Sequence, residues 1–294
     1  MVLSGRLPPG DMYPAGERDV TSRFVRLASG LSVRVVESGS AGSPPVVLVP
    51  GWACTAWICH ETLPALARAG FHAIAVELKG HGLSDKPLDQ SEYTVESMRD
   101  HLIDILNALS LPTAGLVGHS MGGSIAAHVA AAIPDRISGL ALVAPVGFAG
   151  VPGMALFRAL TPMPVVPLLP KIASKLVVKT MLDIVYGDLN GPSARDVDEF
   201  RAPTQFPEFT RALRHLLHAF DWERPFPKLA VPHIVIAGTK DHLSPAKDAA
   251  RYSNRPPVVI EKAGHVLFSE APSVVNEALA GFFRSPAMHG YISG

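Results

Sequence analysis

The sequence predicts an α/β chain: a mostly parallel central sheet with helices on both faces. Three observations carry that prediction. Short β-branched runs alternate with segments whose apolar residues recur at helical spacing. The run Val46 to Val49 is continuously apolar, the pattern of a strand buried on both faces. The strand-like Ala114 to Val117 passes through Gly118-His119-Ser120-Met121-Gly122 directly into a helical pattern.

The elements follow in order. From Phe24 to Glu37 apolar positions partly alternate around Ser29-Gly30, as in two antiparallel strands. After Val46 to Val49 a helix is expected from about Cys59 to Ala69, closed by Gly70. His72 to Val76 reads as a strand. Val95 to Leu109 reads as a helix with Val95, Met98, Leu102, Ile105 and Leu109 on one face. Ala114 to Val117 is the next strand, followed by a helix from Ser120 to about Ala132 that Pro134 ends, and by a strand at Ile137 to Val143. The pattern returns with a strand at His233 to Ala237, a helix near Pro245 to Tyr252, a strand at Val258 to Ile260 and a helix from Pro272 to Phe283.

Between about Pro145 and Pro227 this alternation stops. Closely spaced Pro162, Pro164, Pro167 and Pro170 precede helical patterns around Ile172 to Tyr186 and Phe209 to Phe220. Lying between two strands of the sheet, the region reads as an insertion. The expected organisation is an irregular arm over 1–20, a core over 21–146 and 228–286, an insertion over 147–227 and a loose tail over 287–294.

Composition narrows the function classes. Hydrophobic residues are 48% and charged residues 18% of 294, enough for a large core. Lys+Arg and Asp+Glu are both 26, so the formal net charge is zero. Nucleic-acid and anionic-membrane binders need a basic excess, so a small, weakly charged ligand is expected. Ile137 to Phe157 carries no charge, but its glycines and prolines interrupt it, and no membrane span is expected. Met1 to Gly16 lacks the pattern of a secretory signal, and the expected location is cytoplasmic. Cys54 and Cys59 do not make a disulfide framework; ordinary packing is expected, with a short-range disulfide or redox role as the alternative.

The chemistry concentrates at Ser120. A tight strand-to-helix turn exposes a serine oxygen at the sheet edge and the positive end of a helix, and its glycines leave room for the close approach. A serine hydroxyl is a weak nucleophile until an oriented base takes its proton. Asp241, after the strand ending at Ala237, and His265, in Ala263-Gly264-His265, supply both partners in the order Ser, Asp, His. Asp241 could instead simply cap a turn, and Asp248 is a nearby competitor. Backbone N–H groups of Met121 and of Trp52, in Pro50-Gly51-Trp52-Ala53, are the expected oxyanion donors. Gly51, Trp52, His119, Phe148, Met154, Phe157, Leu243 and Val266 are the expected substrate contacts. His215 and His218 sit three apart, but with no carboxylate or Cys clustered beside them no metal site is expected.

Gly118-His-Ser-Met-Gly-Gly123, Glu77-Leu-Lys-Gly-His-Gly-Leu-Ser-Asp-Lys-Pro87, Gly238-Thr-Lys-Asp241 and Ala263-Gly-His265 resemble motifs of the α/β-hydrolase superfamily. The likeness is to its lidded esterase-like group, which also holds C–C bond hydrolases, dehalogenases and cofactor-free haloperoxidases. It spans nearly the whole chain apart from the arm and the insertion. It implies an α/β-hydrolase fold, a helical lid over the site formed by the insertion, no cofactor, and acyl transfer to water. His81 is implied to be structural. The chain departs from the family at Pro50, where a histidine is usual. Dehalogenases carry Asp at the elbow, and C–C hydrolases often have Asn before the nucleophile. Ser120 and His119 therefore favour ester cleavage.

The expected substrate is a small ester, lactone or thioester with an apolar acyl or aromatic moiety, cut by a monomer or homodimer. Two rivals remain: a C–C hydrolase or perhydrolase on the same residues, and a ligand-binding receptor or scaffold with little turnover.

Overall fold

The computed structural model describes residues 5–147, 151, 153–253 and 255–285; Phe148 and the expected tail lie outside the described residues. The strands are β1 (Thr21–Arg26), β2 (Ser32–Ser38), β3 (Pro45–Val49), β4 (His72–Val76), β5 (Ala114–His119), β6 (Ile137–Val143), β7 (His233–Gly238) and β8 (Val258–Ile260). They form one sheet in the order β1-β2-β4-β3-β5-β6-β7-β8. β1 and β2 pair antiparallel, as do β2 and β4, and every later pairing is parallel.

The helices are α1 (Thr62–Arg68), α2 (Val95–Ala108), α3 (Met121–Ala132), α4 (Met154–Ala159), α5 (Leu169–Ile172), α6 (Lys175–Val185), α7 (Ala194–Arg201), α8 (Pro207–Ala219), α9 (Leu267–Glu270) and α10 (Pro272–Arg284). The period of two along each strand sorts side chains to opposite faces. In β3, Val47 and Val49 join Met98, Leu102 and Ile105 of α2 and Ile125 and Val129 of α3. Val46 and Leu48 join Leu63 and Leu66 of α1 and Leu279 and Phe283 of α10. Each fully buried aliphatic side chain contributes roughly 1.5–3 kcal/mol, so the two layers together hold the sheet between the helices.

Three of the expected helices differ in start or in type. The helix expected from Cys59 starts at Thr62. Thr55 accepts a hydrogen bond from the Trp57 amide at 3.2 Å and opens a separate 3-10 turn, Ala56–Cys59, instead. The helix expected near Pro245–Tyr252 is a 3-10 turn over Ala246–Arg251. The helix expected from Ser120 begins at Met121, because Ser120 has φ 53° and ψ −122° and cannot be helical.

In the insertion the four prolines cut the chain into single turns, so α4, the 3-10 turn Met163–Leu168 and α5 are short. Longer helices form only beyond them. Among its described residues, the apolar stretch 137–157 holds β6 and the start of α4. Among the described residues no helix is long and apolar enough to cross a membrane.

The arm is irregular but packed, with Met12 and Tyr13 buried. Tyr13 N–H donates to Glu199 of α7 at 2.8 Å, Arg6 to Thr204 at 2.7 Å, and Gln205 to the Leu7 carbonyl at 2.9 Å. On the core side Arg34 donates to the Tyr13 carbonyl at 2.5 Å.

Arg34 also forms a buried ion pair with Glu77 at 3.2 Å. Glu77 accepts further bonds from the Ala56 amide at 3.2 Å and the Leu83 amide at 2.7 Å, which shapes the loop after β4. Glu77→Ala would leave a buried guanidinium unpaired. It is expected to cost about 3–5 kcal/mol in urea unfolding, far more than loss of a surface pair.

Candidate active site

In a sheet of this kind the crevice opens where neighbouring strands send their connections to opposite faces, beyond the strand carboxyl ends. β3 and β5 are such neighbours: β3 leads to α1 and β5 to α3. Gly51-Trp52 follows the first and Ser120 the second.

Ser120 occupies the turn in a left-handed backbone conformation, which costs a residue with a side chain about 1–3 kcal/mol. The surroundings over-determine it. Ser120 N–H donates to the Val143 carbonyl at 3.1 Å, and its own carbonyl accepts from Gly123 at 2.9 Å and Val146 at 3.2 Å. Gly122 presses so closely on the end of β3 that any side chain there would strike the Val49 and Pro50 carbonyl oxygens. A side chain at Gly51 would lie 2.8 Å from Ser120 Cβ. Both positions therefore need glycine.

Three side chains that are far apart in sequence meet here. Ser120 Oγ lies 2.8 Å from His265 Nε2, and His265 Nδ1 lies 2.8 Å from Asp241 Oδ2. All three residues are buried, and Ser120 keeps 7% of its surface exposed. The other oxygen of Asp241 accepts from the Leu243 amide at 2.8 Å and the Ser244 amide at 2.9 Å. Ser244 Oγ donates to the Pro145 carbonyl at 2.7 Å, pinning this loop to the end of β6. Asp248, the competing carboxylate, instead pairs with Arg251 at 3.3 Å.

The backbone amides of Trp52 and Met121 have no hydrogen-bond partner among the described residues. Met121 opens α3, so its N–H has no acceptor within the helix and sits at the positive end of the helix dipole. The Trp52 indole N–H donates to the Leu213 carbonyl of α8 at 3.0 Å, and the Phe157 ring meets it edge-on at 5.9 Å. Met154 is partly buried against the α2–α3 layer, and Leu243 is half-buried.

Two of the expected substrate contacts, His119 and Val266, are buried. His119 is 2% exposed, packs against Phe268 and donates from Nε2 to the His265 carbonyl at 3.0 Å. Burial pushes its pKa down to about 3, so it stays neutral. Val266 is buried in the α1–α10 layer.

Sequence reasoning missed Glu270 and Ser244. Glu270 accepts from the amides on both sides of His265, Gly264 at 2.8 Å and Val266 at 3.1 Å. An acidic residue five positions after a histidine is a signal that nothing local separates from an exposed cap. Cys54 and Cys59 are free and buried, and burial pushes the Cys54 thiol up to about 12. His215 stacks on Tyr93 at 5.7 Å. No cluster of three or more His, Cys, Asp or Glu able to hold a metal occurs among the described residues.

Comparison with known proteins agrees with this architecture. A family model described as alpha/beta hydrolase fold matches residues 44–214. The dihydrolipoyllysine-residue acetyltransferase component of the acetoin cleaving system of Pseudomonas putida is 30% identical over 269 residues. That match covers 87% of this chain and 67% of the relative. Bifunctional epoxide hydrolase 2 of Rattus norvegicus is 31% identical over 128 residues, 44% of this chain, which spans only 23% of that protein. Among solved structures, the epoxide hydrolase CorEH superposes with a TM-score of 0.77 at 22% identity, covering 90% of this chain and 98% of that one. Carboxylesterase CesB of Bacillus subtilis gives 0.74 at 18% identity, covering 94% of each. The motif-bearing sheet edge, the elbow and these matches lead to one statement: the chain belongs to the α/β-hydrolase fold family.

Proposed function

We propose that the protein is a serine hydrolase that cleaves a small, largely apolar carboxylic ester, lactone or thioester through an acyl-enzyme on Ser120. The observation that carries this reading is the unbroken hydrogen-bonded line from Ser120 Oγ through His265 to Asp241, with both spacings 2.8 Å. His265 Nε2 takes the serine proton as Oγ attacks the carbonyl carbon, and returns it to the leaving alcohol or thiol. Asp241 holds the tautomer with the proton on Nδ1 and stabilises the imidazolium. The free amides of Trp52 and Met121 receive the charge that develops on the carbonyl oxygen. Water then repeats the sequence on the acyl-enzyme.

The identity of the nucleophile separates this reaction from that of the epoxide hydrolase neighbours. A serine oxygen that opened an epoxide would form an ether, which the second half of the cycle cannot hydrolyse. A serine that attacks an acyl carbon forms an ester, which it can. The insertion supplies Phe157 beside Trp52, and Met154 close by, as the apolar wall for the acyl or aryl group, and acts as the lid. No step calls for a cofactor.

Incubation with a fluorophosphonate probe followed by peptide mass mapping tests the reading. Labelling at Ser120, with turnover of short p-nitrophenyl esters, is the expected result. A folded protein that neither labels nor turns over any member of an ester, lactone, thioester and diketone panel would refute it.

A further inference from the structure

The loop that carries His265 is held from three directions. The His265 carbonyl accepts from His119, the neighbour of the nucleophile, at 3.0 Å. Its amide donates to the Val185 carbonyl, at the last residue of α6 in the insertion, at 2.8 Å. The third hold is Glu270, 2% exposed at the end of α9. One of its oxygens accepts from Val266 at 3.1 Å; the other accepts from Gly264 at 2.8 Å and from Gly187 of the insertion at 2.7 Å. One carboxylate thus joins the residues flanking His265 to the chain leaving α6.

The two segments meet backbone to backbone. Asp188 N–H donates to the Lys262 carbonyl at 2.7 Å. A side chain at Gly187 would strike the Gly264 amide, and one at Gly264 would strike the Gly187 amide. With three N–H donors aimed at it, Glu270 is used as an acceptor on both oxygens. Protonation would turn one of them into a donor facing an amide.

We propose that Glu270 is a positioning residue for His265 and that, through Gly187, it joins the seating of the insertion and the orientation of the imidazole into one cooperative unit. The proposal rests on the reading of His265 as the general base. Glu270 touches no reacting atom; it acts through the backbone of 264–266. The insertion then cannot lift at residues 185–188 without releasing the histidine loop, so a site with its lid displaced there is also a site with a misaligned base.

The titratable groups around His265 are Asp241 after β7, His119 from the elbow, Glu270 from α9 and Tyr186 at the end of α6, whose buried phenol is pushed above its ordinary range. Burial, the largest influence, holds the Glu270 carboxyl above its ordinary range against the pull of its three amide bonds, and the nearby Asp241 carboxylate pushes it further up. Glu270→Gln keeps the size of the side chain and one accepting oxygen, but it cannot accept from all three amides in the same way. The amide of glutamine also sets a donor against at least one N–H donor, which loosens the loop.

The experiment compares wild type and Glu270→Gln by kcat and KM for p-nitrophenyl butyrate hydrolysis, by fluorophosphonate labelling, and by hydrogen exchange of the 185–188 and 262–266 amides. The expected result is a folded variant whose kcat falls by about a hundredfold with little change in KM. Both segments exchange faster together. A folded variant with wild-type kcat, or one whose 262–266 amides stay protected, overturns the proposal. If Glu270→Gln does not fold, exchange in the wild type decides. Gly187, Gly264 and Val266 should exchange as one set, and independent fast exchange of Gly187 overturns the coupling. Absence of labelling at Ser120 in the wild type would refute the hydrolase reading alone, while the exchange data would still test the clamp.

Discussion

A Ser120→Ala variant is expected to lose ester turnover by about five to six orders of magnitude while remaining folded, measured as kcat on a p-nitrophenyl ester against native circular dichroism. The alanine removes the oxygen that must become bonded to the acyl carbon, and among the described residues no other side chain is hydrogen-bonded to His265 Nε2. What remains is the contribution of the oxyanion amides and of binding, which act on water without a covalent intermediate. The same position separates chemistry from stability. Alanine at 120 keeps the left-handed strain of φ 53°, whereas Ser120→Gly releases it. The glycine variant should be as inactive as the alanine variant yet more stable by about 1 kcal/mol in denaturant unfolding. A glycine variant no more stable than alanine would mean that the turn carries no strain.

The second large effect is expected for Asp241→Asn, a loss of about 10⁴ in kcat with the fold intact. The reason lies in the other oxygen of this side chain. Oδ1 accepts from the Leu243 and Ser244 amides, so an asparagine must keep its carbonyl oxygen there and turn its NH₂ toward His265. That NH₂ donates, so Nδ1 must accept and the imidazole proton moves to Nε2. An Nε2 that carries a proton cannot take one from Ser120. Fluorophosphonate labelling should slow in parallel with turnover, because both need the same deprotonation. Turnover within tenfold of wild type would show that Asp241 does not set the tautomer.

The elbow was legible because its cause is local. Gly118, Ser120 and Gly122 are adjacent in sequence and in space, and the steric demand for glycine at 122 comes from a strand that the β-branched pattern already places beside it. The sheet was legible for a similar reason: parallel strands buried on both faces read as apolar runs, and His72–Val76 and Ile137–Val143 keep the limits read from sequence. Glu270 was not legible, since an acidic residue at the end of a short helix has the composition of an exposed cap. Only the fold brings the Gly187 amide to it. The same holds for His119, which by chain position looks like a pocket residue. Its burial is set by Phe268 and the His265 carbonyl, 146 positions along the chain. The short helices of the insertion escaped because prolines erase the periodicity on which such a reading depends.

The arm has a consequence for how this chain is made. Its bonds to Glu199 and Gln205 close loops of 186 and 198 residues, so these contacts wait until α7 and the turn after it have been synthesised. Until then the arm can rest only on the core side, through Arg34 and the Trp57 ring. Fastening the insertion to the core through the arm is therefore a late step of folding. The hazard for nascent chains lies in that waiting period, when a half-docked arm can find a neighbour's surface before its own.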